Sequence, residues 1–258
     1  MVHAYDEDCN PHFGLTPAQA KKEGLFFSVT EHQKVIAKPP LEMWKLGEHL
    51  KTAFEYPPRQ GEDMQSFIKR VKGITWKNSG GAADLGTKIH SGIESILLKE
   101  KTIDDLDSDL RRYVAPAIRY FETKKFQIVD VEKVVINKDQ GYAGTCDAVG
   151  KTSCGKPFIL DWKSRKFGKR KVAPYSGQPE QVSAYGAGYY GEEAIKNHEI
   201  WGINVFISTD QFTESGESKI AVTSYNPKEM AHNYETFCHV CELWRRSENY
   251  DPRKECAK

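Results

Sequence analysis

Asp147, Asp161 and Lys163 stand in two short apolar runs, residues 142–149 and 158–163, joined by Lys-Thr-Ser-Cys-Gly-Lys. Ser and Gly in that joint mark a turn, so the segment reads as a β-hairpin with one carboxylate on each strand. Side chains alternate along a strand, which puts Thr145, Asp147 and Val149 on one face and Ile159, Asp161 and Lys163 on one face. The two aspartates are equidistant from Cys154. A symmetrical hairpin therefore sets them opposite each other with Cβ atoms about 5 Å apart, where like charges destabilise a sheet. A divalent cation between them would remove the conflict, and Lys163 would sit beside it on the same face. The spacing is equally compatible with Asp147 belonging to the turn region and Asp161 ending a strand.

The elements around this hairpin can be read in order. Residues 1–24 are polar and mixed, and 26–30 form a short strand or an extended lead into a helix. A helix is expected from Pro40, with Leu41, Trp44, Leu46, Leu50 and Phe54 at roughly helical spacing and Tyr56-Pro57-Pro58 ending it. A second runs from Glu62 to about Lys77. Ser79-Gly80-Gly81 breaks the pattern, and a new helix runs from Ala82 to about Glu100 with the stripe Leu85, Ile89, Ile93, Ile96. His90 and Glu94 lie one turn apart beside that stripe, and Gly86, a turn earlier, leaves room for the imidazole. A helical histidine on its own is usually structural or solvated.

The next helix, 106–124, contains Pro116, which predicts a kink or boundary. A strand at 126–137 carries Glu132. Six of the nine residues from Lys163 to Lys171 are basic, which reads as a solvated run or, beside paired carboxylates, as a phosphate-binding rim that includes Arg165, Lys166, Lys169, Arg170 and Lys171. Gly177-Gln178-Pro179 starts a helix on which Gln181 and Tyr185 share a face. Strands at 200–208 and 219–225 and a final helix to about Arg246 follow, with a loose tail after Asn249.

Four of these segments carry a resemblance: Gly86-Thr87-Lys88-Ile89-His90, Gly144-Thr145-Cys146-Asp147, Asp161-Trp162-Lys163-Ser164 and Gln181-Val182-Ser183-Ala184-Tyr185. Their order resembles the RecB-like exonuclease branch of the PD-(D/E)XK nuclease superfamily, which includes phage exonucleases, mitochondrial genome-maintenance exonucleases and CRISPR-adaptation nucleases. The match spans residues 86–185. It implies an α/β fold with a central mixed β-sheet flanked by helices, a restriction-endonuclease-like core at 81–225, a helical N-terminal region at 1–80 that guides DNA, and a C-terminal helix and tail at 226–258 packed on the core.

The resemblance further implies that Asp147, Asp161 and Lys163 are catalytic. His90, Asp147, Asp161 and the Trp162 backbone carbonyl would ligate one or two Mg²⁺ or Mn²⁺ ions, Glu94 and Glu132 being supporting candidates. Glu132 resembles a recurrent acidic position of the family and reads as well as an edge-strand carboxylate. Gln181 and Tyr185 would position substrate phosphate. The expected activity is hydrolysis of DNA from single-stranded ends in recombination, repair or phage genome processing. The alternatives are a structure-specific or restriction-type endonuclease and a nuclease fold kept for DNA binding or partner docking. A helicase, recombinase or single-strand-binding protein would be a separate partner, since the chain has no Gly-rich Lys-Ser/Thr nucleotide loop.

Composition sets the outer limits. The 258 residues are 39% apolar and 28% charged with a net charge of +1, which describes a globular chain and makes any nucleic-acid surface a local basic stripe. No apolar run approaches the roughly 20 residues of a membrane helix and the N-terminus lacks signal-peptide features, so an intracellular, cytoplasmic protein without a membrane partner is expected. Some RecB-like nucleases carry an iron–sulfur cluster tied by one N-terminal and several C-terminal cysteines, which Cys9, Cys238, Cys241 and Cys256 could mimic. Cys238 and Cys241 instead fall on a helical stripe with Met230, Tyr234, Phe237 and Trp244, so core packing is expected over a cluster.

Overall fold

The computed structural model describes residues 1–169 and 171–255, so the candidates Arg170 and Cys256 lie outside the described residues. The described chain divides into two units, Ala37–Ile89 and the remainder, Met1–Ile36 with His90–Lys258.

The larger unit is built on an eight-stranded mixed sheet flanked by helices. It begins with β1 (Ala4–Tyr5), β2 (Pro11–His12), α1 (Pro17–Lys22), β3 (Phe26–Ser28) and α2 (Val29–His32). These first residues were expected in a helical N-terminal region, yet they add three strands to the sheet. The reason is apolar content at short range: Ala4, Tyr5, Phe26 and Phe27 are all buried, in stretches too short for a periodicity to show.

The smaller unit holds α3 (Pro39–Glu55) and α4 (Met64–Leu97) as far as Ile89. Arg70 ties the turn between them, donating to Glu62 Oε1 and Oε2 at 2.7 Å each and to the Pro57 carbonyl at 3.1 Å. Two expectations fail here. The α3 stripe Leu41, Trp44, Leu46, Leu50 and Phe54 is exposed, Phe54 to 90%. The break expected at Ser79-Gly80-Gly81 is absent, and one helix runs through it. A glycine costs a helix only about 1 kcal/mol, which 34 residues of continuous hydrogen bonding outweigh.

From His90 onward α4 belongs to the larger unit, followed by α5 (Ser108–Thr123), β4 (Gln127–Asn137), β5 (Tyr142–Lys151), β6 (Pro157–Arg165), α6 (Gln178–Tyr190), α7 (Glu192–Lys196), β7 (Trp201–Phe212), β8 (Ser218–Tyr225), α8 (Pro227–Glu248) and α9 (Pro252–Glu255). Asp107 caps α5 by accepting from the Leu110 N–H, and Pro116 is accommodated within the helix without ending it. Along β6 the alternation separates two layers. Ile159 joins the core cluster built from α6 and α8, while Phe158 and Trp162 point the other way, to Phe126 and to Phe121 of α5.

The tail expected to be loose is docked. Tyr250 packs on Phe27 and Trp244, its hydroxyl donates to the Leu25 carbonyl at 2.9 Å, and α9 is held by Arg253 to the Asp139 carbonyl. Among the described residues no helix is long and apolar enough to cross a membrane.

Sheet topology makes one irregular place. Strand β5 pairs with β4 along its length, but its other edge is shared by two partners, β3 at Tyr142 and Ala143 and β6 from Ala148 to Lys151. Residues 144–147 lie between these partners, and β6, having left β5 at Leu160, continues alongside β7. The sheet is therefore forked at Asp147.

Candidate active site

The hairpin register is Ala148↔Leu160 and Val149↔Ile159. One further step would oppose Asp147 and Asp161, as the sequence suggests, but the ladder stops there. The two strands part, and the Asp147 carboxylate fills the opening by accepting the Trp162 N–H at 2.8 Å. N–H and C=O of one strand residue point to the same side. The Trp162 carbonyl therefore also faces the fork, where the His90 imidazole makes a hydrogen bond with the Trp162 backbone and sets its ring 5.8 Å from the indole.

Three side chains at the fork bring ligand atoms within 4.8 Å of one another: His90 from α4, Glu132 from β4 and Asp147 from β5. His90 Nδ1 lies 4.0 Å from Asp147 Oδ2. Glu132 was open between a functional and an edge-strand role, and its placement has a local cause. The pairs Val131↔Ala148 and Lys133↔Cys146 set it across from Asp147, and its φ of +48° is a left-handed conformation that a glutamate adopts only under constraint. Glu94, one turn past His90, is half-buried and near enough to Glu132 and Asp147 to raise the pKa of both.

Asp161 is buried beside this group with both carboxylate oxygens engaged. Lys163 Nζ donates to Oδ1 at 2.5 Å and the Asn204 amide donates to Oδ2 at 2.8 Å. Burial pushes the Asp161 carboxyl up to about 6, with Lys163 pulling it back and Asp147 adding to the rise. Burial likewise raises Asp147. Glu132 is pushed up to about 8 by burial first and then by the charges of Asp147 and Glu94. His90 goes the other way, to about 4, because burial and the Lys163 charge disfavour its cation; at neutral pH its ring is neutral and has a lone pair to offer. Burial works to discharge Lys163, but Asp161 and Asp147 outweigh it and hold the ammonium charged.

The remaining candidates divide. Gln181 and Tyr185 are buried on α6 and bonded to each other, Nε2 to hydroxyl, at 2.8 Å. The Tyr185 ring lies against Gly144, where an added Cβ would come within 2.7 Å of it; the glycine of Gly-Thr-Cys-Asp is what lets α6 close on the fork. Lys166, Lys169 and Lys171 are exposed on the segment after β6, which Asp210 pins by accepting the Phe167 and Gly168 N–H groups. Arg165 is used structurally, its guanidinium over the Tyr175 and Phe206 rings at 4.3 and 4.4 Å and donating to the Ala173 carbonyl. Among the cysteine candidates, Cys241 is in the main core with Cys238 against it, and Cys9 is exposed.

Sequence reasoning missed three contributors. Asn204 and Tyr225 stand behind Asp161, and Tyr5 from β1 bonds Thr145 Oγ1 at 3.1 Å. A lone asparagine inside the apolar run Gly-Ile-Asn-Val-Phe-Ile was the available signal for the first.

No family model and no curated protein matches the chain. Among solved structures, the crystal structure of SSO0001 aligns over 89% of this chain and 88% of that one at 15% identity, with a TM-score of 0.31, too low to establish a common fold.

Proposed function

We propose that this protein is a metal-dependent deoxyribonuclease that hydrolyses phosphodiester bonds, working as an exonuclease on single-stranded ends. The observation that carries the reading is the fork, where carboxylates from separate strands converge with a neutral imidazole beside a charged lysine. The order of the Gly-Thr-Lys-Ile-His, Gly-Thr-Cys-Asp, Asp-Trp-Lys and Gln-Val-Ser-Ala-Tyr segments supports the same reading.

The donor set fits a divalent cation. Carboxylate oxygens and a carbonyl suit Mg²⁺, and one imidazole among them suits Mn²⁺ as well. The crowding that lifts Glu132 to about 8 is the like-charge strain that such an ion relieves. His90, Glu132 and Asp147 would hold it, with Asp161 and the Trp162 carbonyl adjacent. When bound, the ion supplies Lewis-acid polarisation of the phosphate and a more acidic water.

The chain's own residues do the rest. Lys163 stays an ammonium, so it acts as a fixed positive charge that orients a water and balances charge developing on the phosphate, rather than as a base. Asp161 holds that ammonium in place. Gln181 and Tyr185, closed on the fork by Gly144, would meet a phosphate entering from the α6 side. The exposed Lys166, Lys169 and Lys171 would follow the backbone away from the cleavage point, so binding should weaken steeply with added salt through counterion release.

The test is digestion of matched linear and circular single-stranded DNA with Mg²⁺, Mn²⁺ or EDTA. Metal-dependent loss of the linear strand alone is expected. Cutting of the circle would replace the exonuclease with an endonuclease, and no cutting of either substrate would refute catalysis.

A further inference from the structure

Strand β7 lies parallel to β6 with Asn204 paired to Asp161, so the two side chains leave the sheet side by side on one face. Asn204 is completely buried in a strand whose neighbouring positions Gly202, Ile203, Val205, Phe206 and Ile207 are buried as well. An amide there is costly unless all its polar atoms are met. They are met in one direction only. Its Nδ2 lies 2.8 Å from Asp161 Oδ2 and 3.4 Å from the Asp161 carbonyl, two acceptors, so the nitrogen end must face Asp161. Its Oδ1 accepts the Tyr225 hydroxyl at 2.7 Å from the neighbouring strand β8. The result is a directed chain, Tyr225 to Asn204 to Asp161, arriving at the carboxylate from inside the sheet.

We propose that Asn204, fixed by Tyr225, is a positioning residue that commits Asp161 Oδ2 to the protein interior and leaves Oδ1, shared with Lys163, as the single oxygen Asp161 presents to a divalent cation. The proposal rests on reading Asp161 as part of a cation-binding group. Without the amide, the carboxylate is free to rotate and to present either oxygen, and Lys163 loses the fixed partner that places its ammonium. Neither Asn204 nor Tyr225 touches substrate in this scheme; both act through Asp161. Groups behind a ligand typically change metal affinity or activity by 10–100-fold when removed.

The experiment uses the full chain and two readouts, Mn²⁺ affinity by calorimetry without nucleic acid and single-strand cleavage at saturating Mn²⁺. The variants are Asn204→Leu, which keeps the volume and removes the amide, and Tyr225→Phe, which removes one hydroxyl, each in the wild-type and Asp161→Asn backgrounds. Asn204→Leu is expected to weaken Mn²⁺ binding about 10-fold and to lower turnover about 10–100-fold, and Tyr225→Phe to move both in the same direction by about 3-fold. In the Asp161→Asn background neither should change Mn²⁺ affinity further, since the effect passes through that carboxylate. A purely structural role would instead give the same loss in both backgrounds, and that result overturns the proposal.

If Asn204→Leu does not fold, Tyr225→Phe decides alone by the same criterion. Wild-type protein that binds Mn²⁺ with this dependence but cuts no nucleic acid would leave the positioning role standing and remove the nuclease reading. Protein that cleaves, with both variants unchanged in affinity and rate, would do the reverse. Absence of Mn²⁺ binding in the wild type overturns both.

Discussion

The two ends of β5 both bury polar side chains, and they settle the cost in opposite ways. At its start, Asn137 donates to the Tyr234 hydroxyl at 3.0 Å, Tyr234 donates to Glu192 Oε1 at 2.7 Å, and the Tyr142 hydroxyl donates to the Ala184 carbonyl at 2.8 Å. Burial would raise Glu192, but its bonds from Tyr234, Lys196 and Asn137 outweigh that and hold its carboxyl below the usual range. At the other end, Asp147, Asp161 and Glu132 are all pushed upward. A network whose donors match its acceptors closes within the protein. One in which carboxylates outnumber donors is left with negative charge that only an added cation or proton can settle. The difference separates a structural polar cluster from one that needs something from outside.

The largest expected effect tests the division directly. Asp161→Asn or Lys163→Ala should lower cleavage by about 10²–10³-fold or more while DNA affinity, measured by fluorescence anisotropy, survives. Tyr234→Phe at the opposite end should leave turnover unchanged. Full turnover in either fork variant would erase the distinction.

Next is His32, which packs beside the settled end against Tyr142, Phe237 and Trp244 and bonds the Ser28 carbonyl through Nδ1. Burial lowers its pKa to about 4, from an ordinary value near 6.5. Between those values the unfolded chain binds a proton that the folded one refuses, so stability rises with pH there and is lost as pH falls from about 6.5 to about 4. The full loss is about 3 kcal/mol, and His32→Phe should flatten that limb in urea titrations. An unchanged slope in the variant would show that another group carries the acid limb.

The smallest effects should have opposite signs at the two ends. Glu132 has a raised folded pKa, so the metal-free protein loses stability as pH rises from about 4.5 to about 8. Glu132→Gln should therefore raise metal-free stability at pH 8 by about 1–2 kcal/mol, allowing for its partial exposure, and remove most of the melting-temperature gain that Mn²⁺ confers. Tyr234→Phe should instead lower stability by about 1–2 kcal/mol, with or without Mn²⁺. Glu132→Gln that destabilises the metal-free protein would mean its carboxylate is already satisfied, and the contrast between the ends would fail.

The elements that could be read from the sequence are those that local chemistry decides. Hairpin β5–β6 follows from alternation and a Ser-Cys-Gly turn, α6 from Gly177 and a first-turn proline, α8 from Asn226-Pro227 with Glu229 completing a capping box. The pairing of Asp147 with Asp161 was legible as a symmetry about Cys154, and His90 as a histidine behind a glycine one turn earlier. Where local signals misled, a longer-range term won: the continuous α4 overrode two glycines, and β1 to β3 joined the sheet from segments too short to show a period.

What the sequence determined by itself was the inventory, two carboxylates and a lysine on a hairpin, with a helical histidine and a basic run nearby. Only the tertiary structure decided that β5 divides one edge between β3 and β6, that Glu132 rather than Asp161 groups with His90 and Asp147, and that Asn204 locks Asp161 from 43 residues away. The physical reason is that alternation and capping are set within a few residues of chain. Which strands become neighbours is set by burying the whole sheet between two layers of helices, and that choice is not written at any single position.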